Sequence, residues 1–358
     1  MQDERRLDEL GERRIIEDIL RPRYGWQESN RFGDDCAVVA EGGTLANGLV
    51  VATTDPCPEP MSSFLGYFDF YYRGWLLATI NLSDLAAVGA KPLGLLTSLI
   101  LRNDTTIGQL LRLLDGIDGC CAQSGTHTIG GNIKEGAKVE LSATAIGICS
   151  NRKFLSRTGC HAGDLIVIIG DLGLFWSGVL AVQHQIPLED KEKQLLKNVL
   201  TPMPKVRIGQ ELAEDELLTS CIDNSDGLYP SLIQLAEANG LQMYINMIDV
   251  IFPPEVLYVS SLLNLDPIRL TFGWGDWQLI GCCDPNKLNK LREVSQRYEV
   301  DVHVIGEVRK GKSVSLEHKQ HTGQMAPVDS QRFTQDSWFT AGLQSYINVL
   351  VKGPLWKD

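Results

Sequence analysis

Short, β-branched apolar runs alternate with stretches of helical spacing along this chain, and most of the runs stop at an acidic or glycine-containing turn. The run from Gly48 to Thr54, GLVVATT, reads as a buried strand ending at Asp55. Leu95 to Leu101, Thr126 to Ile129 and Val139 to Ile148 read as further strands, the last two joined by a Gly-rich loop. LIVIIG, Leu165 to Gly170, and Leu218 to Ile222 supply strands in the second half. Helical spacing falls between them, over Tyr72 to Val88, Thr106 to Ser124, Leu174 to Gln183, Val206 to Asp215 and Leu228 to Asn239. A further helix from Arg5 to Leu20 stops before Pro22, and the tail from Arg309 to Ser330 is polar and weakly patterned. The alternation predicts an α/β (α+β) protein.

At 358 residues the chain exceeds the size at which one hydrophobic core stops growing, so two domains are expected. The texture turns polar between Asn151 and Gly163, which places the boundary there. The predicted division is 1–155, 156–330 and a C-terminal extension over 331–358.

The charge balance narrows the partners. With 45 acidic against 33 basic residues the net charge is -12, which repels nucleic-acid phosphates and anionic lipid surfaces. No run approaches the roughly 18 apolar residues of a membrane span, and MQDERRLDELGERR is too charged for a signal peptide. Nine cysteines occur without a CxxC spacing, a pattern of reduced thiols in a cytoplasmic protein.

Five segments place a carboxylate or amide beside Gly, Ser or Thr at the end of an apolar element. They are Gly33-Asp34-Asp35, Thr53-Thr54-Asp55, Asn81-Leu82-Ser83-Asp84, Gly130-Gly131-Asn132 and Asp223-Asn224-Ser225-Asp226-Gly227. Mg2+ prefers oxygen ligands shared among carboxylates, waters and substrate phosphates, and small neighbours let a polyphosphate reach the backbone. Four of the five segments also have a plain structural reading. Asp84 and Asp226 could be helix caps, Asp34-Asp35 an exposed turn, and Gly130-Gly131 a hairpin loop. Gly131 to Lys138 resembles a P-loop only superficially, because Ala137 stands at the lysine position. The six histidines, His127 and His161 among them, show no metal-ligand spacing and read as surface or packing residues.

In order and spacing, GDDCAVV, VATTD, ATINLSDLAAVGAKP, IGGN, SRTGCHAGDLIVIIGDLG, TPMPKVRIG and IDNSDGL resemble the thiamine-monophosphate kinases. Those kinases group with aminoimidazole ribonucleotide synthetase (PurM-like) proteins, and the resemblance runs from about residue 11 to residue 308. It implies a two-domain PurM-like architecture: an N-terminal mixed-sheet domain that binds ATP and Mg2+ and pairs into a homodimer, and a C-terminal α/β domain. Carried over by position, Asp35, Thr53, Thr54, Asp55, Asp84, Asp223 and Asp226 are the implied metal ligands. Asp84, Asp55 and Asp223 take the catalytic share, and Arg157, Ser225, Gly130 and Gly131 the ATP contacts.

Three departures stand out. Where the kinases have GGDT this chain has GGNI, so Asn132 offers the metal an amide oxygen in place of a carboxylate. Ser62 falls near a histidine that helps hold thiamine phosphate in the kinases. Their GGEDYEL becomes Gly273-Trp274-Gly275-Asp276-Trp277-Gln278-Leu279, with Gly275 at the glutamate position. Ser62, Trp274, Asp276 and Trp277 are therefore the acceptor-side candidates, and the two tryptophans either stack on an acceptor or pack the core. The expected function is Mg2+-dependent, ATP-using phosphotransfer to a small-molecule acceptor other than thiamine monophosphate. Two alternatives stay open: an ATP-dependent synthetase that activates an amide or carboxyl oxygen, and a non-catalytic nucleotide-binding protein.

Overall fold

A computed structural model describes residues 34–41, 48–150, 153–188, 193–328 and 341–357, with residues 14, 17 and 18. The helix expected from Arg5 to Leu20 lies outside the described residues, apart from those three positions. Two sheets organise the rest. The first is built from β1 (Ala37–Glu41), β2 (Leu49–Pro56), β3 (Lys91–Leu101), β4 (Thr128–Glu135) and β5 (Glu140–Cys149), in the order β1-β2-β5-β3-β4. Only β3 and β4 run parallel, so the sheet is mixed as expected.

The short turn α1 (Met61–Phe64) precedes two long helices, α2 (Phe70–Ala87) and α3 (Ile107–Gln123). Each long helix starts at a side-chain cap: the Asp69 carboxylate accepts from the Tyr71 N–H, and Thr106 and Gln109 form a reciprocal capping box. The two helices meet backbone to backbone. A Cβ at Gly116 would lie 2.0 Å from the Tyr71 carbonyl oxygen, and one at Gly74 2.0 Å from that of Leu113. Gly116→Ala is expected to destabilise the protein by about 3 kcal/mol, because rigid backbone must move apart. Denaturant unfolding checks this, and wild-type stability in the variant would contradict the close approach.

The second sheet runs β12-β11-β8-β10-β6-β9-β7. Its strands are β6 (Leu165–Ile169), β7 (Ser220–Asp223), β8 (Leu241–Asn246), β9 (Leu279–Cys283), β10 (Val302–Lys310), β11 (Val314–His318) and β12 (His321–Gln324). Helices α4 (Leu174–Gln183), α5 (Lys193–Leu200), α6 (Val206–Glu214), α7 (Leu228–Asn239), α8 (Pro254–Leu262), α9 (Leu288–Arg297) and α10 (Leu343–Lys352) surround it. β6 is apolar throughout because both of its faces are covered. Ile166 and Ile168 join a core with α4, α7 and α10, while Val167 and Ile169 join the core that also holds α2. One hydrophobic cluster thus bridges the two sheets.

Polar contacts fix the same junction. The Trp75 indole N–H and the Thr79 hydroxyl both donate to the Pro202 carbonyl, at 2.7 and 2.9 Å. α6 presses on α2 so closely that a Cβ at Gly209 would lie 2.3 Å from the Ala86 carbonyl oxygen. The C-terminal half of α2 is therefore held against the strand ends of the second sheet.

Three sequence expectations change. β3 begins at Lys91 rather than Leu95. Gly130-Gly131 is not a loop but the interior of β4, where Gly131 lets β3 approach: a Cβ there would lie 2.4 Å from the Thr97 carbonyl oxygen. The weakly patterned tail after Arg309 forms β11 and β12, whose apolar side chains Val314 and Leu316 are buried.

Candidate active site

The site grows from the C-terminal half of α2. Asn81, Ser83 and Asp84 leave that helix toward three different partners. The Asn81 side-chain oxygen accepts from the Asp55 N–H at 3.1 Å, which fixes the end of β2. The Ser83 hydroxyl donates to Asp223 at 2.7 Å, joining α2 to the end of β7. Asp84 accepts from the Thr53 hydroxyl at 2.5 Å. Ser225 donates to the other Asp223 oxygen at 2.9 Å.

Asp35, Asp84 and Asp223 each bring an oxygen into a group whose atoms all lie within 4.8 Å of one another. Three carboxylates so close repel, and burial removes the water that would screen them. Asp84 is pushed well above the usual carboxylate range, by burial first and then by Asp223, Asp55 and Asp35. Asp223 is pushed up to about 7 by burial and by Asp35, against the hydrogen bonds from Ser83 and Ser225. An all-oxygen, charge-dense donor set, with Asp223 buried and Asp84 partly so, suits Mg2+.

Arg157 supplies the nearby positive charge. Its guanidinium forks onto both Asp35 oxygens, at 2.8 and 3.2 Å, and donates to Gln234 at 2.8 Å. Its backbone is held as well, with the N–H donating to Asp34 at 2.8 Å and the carbonyl accepting from Asn239 at 2.8 Å. Burial works against the guanidinium charge, but Asp35 beside it keeps the group ionised.

A cavity of about 340 Å³ opens on this group. Asp35, Thr53, Asp55, Asp84, Asp223 and Asp226 all line it, as do Arg157, Ser225, Trp274 and Trp277. Six expected site residues lie outside the lining, Asp276 among them. Strand alternation turns Thr54 to the opposite face of β2, where its hydroxyl donates to the Ala143 carbonyl at 2.8 Å. Gly130, Gly131 and Asn132 are exposed on β4 at the sheet edge, outside the cavity lining. Ser62 is buried in α1 behind Pro60 and Met61, which line the cavity in its place.

Asp276 also differs from expectation. Its carboxylate accepts from the N–H groups of Gly173 and Phe175, at 3.2 and 3.0 Å, and so caps the start of α4. His127 and His161 are exposed, outside the cavity lining. Cys36 is buried beside the carboxylates, and burial together with Asp84 holds its thiol protonated, so it is a packing residue. All nine cysteines are free.

Sequence reasoning missed Asp34 and Phe175. Asp34 holds Arg157 in place and was visible only as the neighbour of Asp35 in an acidic pair. Phe175 lies in an apolar helical stretch with no sign that one ring opens on a cavity.

Family models match the same two layers. The N-terminal domain of AIR synthase related proteins matches residues 33–149, and the C-terminal domain of the same proteins matches residues 161–319. The chain belongs to the AIR synthase related family. Within this family it is similar to the thiamine-monophosphate kinase of Methanospirillum hungatei, 26% identical over 308 residues that cover 86% of this chain and 96% of that protein. The thiamine-monophosphate kinase of Synechococcus elongatus is likewise 26% identical over 329 residues, covering 89% and 95%. A solved structure described as AaThiL complexed with AMPPCP and TMP superposes with a TM-score of 0.78 at 25% identity, over 92% of this chain and all of that one. The hydrogenase maturation protein HypE in complex with ATP shares the fold, with a TM-score of 0.65 at 18% identity over 90% of this chain and 96% of that one. Among the described residues no helix is long and apolar enough to cross a membrane.

Proposed function

We propose that this protein is a Mg2+-dependent, ATP-using phosphotransferase acting on a small-molecule acceptor other than thiamine monophosphate. The observation that carries the reading is the group formed by Asp35, Asp84 and Asp223 at a cavity of about 340 Å³. Carboxylates so close either hold protons or take up a cation, and Mg2+ is the cation that suits their oxygens. The similar kinases, and the neighbour complexed with AMPPCP and TMP, support ATP as the nucleotide.

Bound Mg2+ would neutralise phosphate charge and orient the transferring group. The protein's own share is positioning. Asp35, Asp84 and Asp223 would hold the metal, with Thr53, Asp55 and Asp226 beside them in the same lining. Arg157, the one basic side chain among the described lining residues, would orient a phosphate oxygen while keeping its bond to Asp35. Gly275 carries no side chain with which to grip the acceptor, and Ser62 is buried away from the cavity, which supports a changed acceptor.

ATP consumption with Mg2+, measured against thiamine monophosphate and a panel of phosphorylated metabolites with products read by mass spectrometry, tests this. A phosphorylated acceptor other than thiamine monophosphate is the expected product. Thiamine diphosphate formed at least as efficiently as any other product would overturn the acceptor assignment. Release of free phosphate with a condensed product would favour the synthetase alternative.

A homodimer belongs to the same proposal. The helix-free face of the first sheet exposes Leu93, Leu96 and Val39, and Asn132 shares that face at the β4 edge. Apolar side chains exposed on a sheet face are a surface for a second copy. Light scattering is expected to give about twice the chain mass of 39.6 kDa, and Leu96→Glu to shift the protein toward monomer. A wild-type monomer at micromolar concentration would sink this assignment.

A further inference from the structure

The cavity is long rather than round, because one helix runs along it. Tyr72, Leu76, Ile80 and Asp84 follow one another at four-residue spacing on α2, and all four line the cavity. Twelve residues of α-helix separate Tyr72 from Asp84, so the lining extends about 18 Å from the carboxylate group. The far end is fixed a second time. Glu59 follows β2 between Pro58 and Pro60, and both of its carboxylate oxygens accept from the Arg73 guanidinium at the start of α2. That pair seats the Pro58, Glu59 and Pro60 segment of the lining at the Tyr72 end.

The two ends differ in chemistry. Asp35, Asp84, Asp223 and Arg157 gather at one end. Toward the other, Leu76 and Pro58 are half-buried and keep apolar surface open to the cavity. The Glu59 and Arg73 charges cancel there, so neither is left to balance an ion. Tyr72 is half-buried as well. Its ring meets that of Tyr71 edge-on, with centroids 5.8 Å apart, and among the described residues no hydrogen bond engages its hydroxyl. The channel thus runs from a metal group through aliphatic walls to a free phenol.

We propose that the acceptor is an elongated molecule with an uncharged, aliphatic body, its reacting end at the carboxylates and a polar far end bonded to the Tyr72 hydroxyl. This deepens the phosphotransferase reading of the cavity and rests on it. Each methylene laid along Leu76 and Pro58 leaves water for an apolar wall, which favours binding. A charge in the middle of the body would lose its hydration and meet no partner. A hydroxyl at the far end keeps a hydrogen bond through Tyr72, so Leu76 and Tyr72 are the specificity-determining residues.

The test is calorimetric titration of the full chain, saturated with Mg2+ and AMPPCP, with butyl phosphate, octyl phosphate, 8-hydroxyoctyl phosphate and thiamine monophosphate, whose body is cationic. Octyl phosphate is expected to bind at least about tenfold more tightly than butyl phosphate, and more tightly than thiamine monophosphate. Leu76→Gln is expected to remove most of the octyl advantage. Tyr72→Phe is expected to weaken 8-hydroxyoctyl phosphate about tenfold and to leave octyl phosphate unchanged, a split that a merely structural role would not produce. The second variant keeps the test open if the first fails to fold. Absence of Mg2+–AMPPCP binding in the wild type would overturn the phosphotransferase reading. Intact nucleotide binding would overturn the aliphatic-acceptor proposal alone if octyl phosphate bound no better than butyl phosphate, displaced AMPPCP, or bound more weakly than thiamine monophosphate. So would a folded Tyr72→Phe variant that binds 8-hydroxyoctyl phosphate like the wild type.

Discussion

Asp84→Asn is expected to lower ATP turnover by about a hundredfold or more while leaving the protein folded, and to raise its metal-free thermal stability. Loss of turnover follows because the amide removes one of the three charges that hold the cation, and metal-assisted phosphotransfer depends on that neutralisation. The gain in stability follows from the same geometry. Asp84 is partly buried among Asp223, Asp55 and Asp35, and its ionisation is opposed by all three. Asparagine keeps an oxygen for the Thr53 hydroxyl but takes away the repulsion. A residue needed only for structure would show the opposite pattern, with stability and activity falling together. Turnover at the wild-type level in saturating Mg2+ would sink the metal assignment.

The second large effect is a pH-dependent response of stability to Mg2+. Burial and Asp35 raise Asp223 from 3.8 to about 7 in the folded chain, and Asp84 is raised as well. The folded state therefore holds these protons more tightly than the unfolded state does. The stability they contribute is fully present below about pH 4 and is lost as pH rises through about 7. Added Mg2+ replaces the protons and restores what was lost. The melting temperature is expected to rise steeply with Mg2+ at pH 8, by an amount set by mass action, and to change little at pH 5. Asp276, also pushed up to about 7 by burial, follows the same sign but caps α4 outside the metal group. It shapes the metal-free curve without responding to Mg2+, so the difference between the curves with and without metal isolates the carboxylate group. Equal stabilisation by Mg2+ at pH 5 and pH 8 would contradict the raised pKa values.

Much of the fold was legible because each element carries its own local signal. α3 is fixed by the Thr106 and Gln109 box, and β6 by an unbroken apolar run covered on both faces. β11 and β12 were missed because neighbouring strands, rather than strong alternation of their own, give a short polar segment its pairing. The acidic turns were legible as a set. Their common design marks Asp34, Asp35, Asp55, Asp84, Asn132, Asp223 and Asp226 without choosing among them, and only the fold shows that Asp35, Asp84 and Asp223 come side by side.

The misassigned residues share a different cause. Thr53 and Thr54 are indistinguishable in sequence, and only the direction of β2 decides which of them faces the cavity. Asp276 looks like a ligand in its motif, yet the start of α4 folds back onto it and claims both carboxylate oxygens. Phe175 gave no signal at all, since a ring in an apolar helix reads the same whether it lines a cavity or a core. In each case the missing information is where a distant segment packs, and local pattern carries none of it.

The most direct measurement is calorimetric titration of AMPPCP into the wild-type protein and Asp84→Asn, each with Mg2+ and again with a chelator. Binding to the wild type that requires Mg2+ and is lost or strongly weakened in Asp84→Asn is the predicted result. Binding of equal strength with the metal chelated, or binding unchanged by the substitution, would contradict a nucleotide site built on the carboxylates.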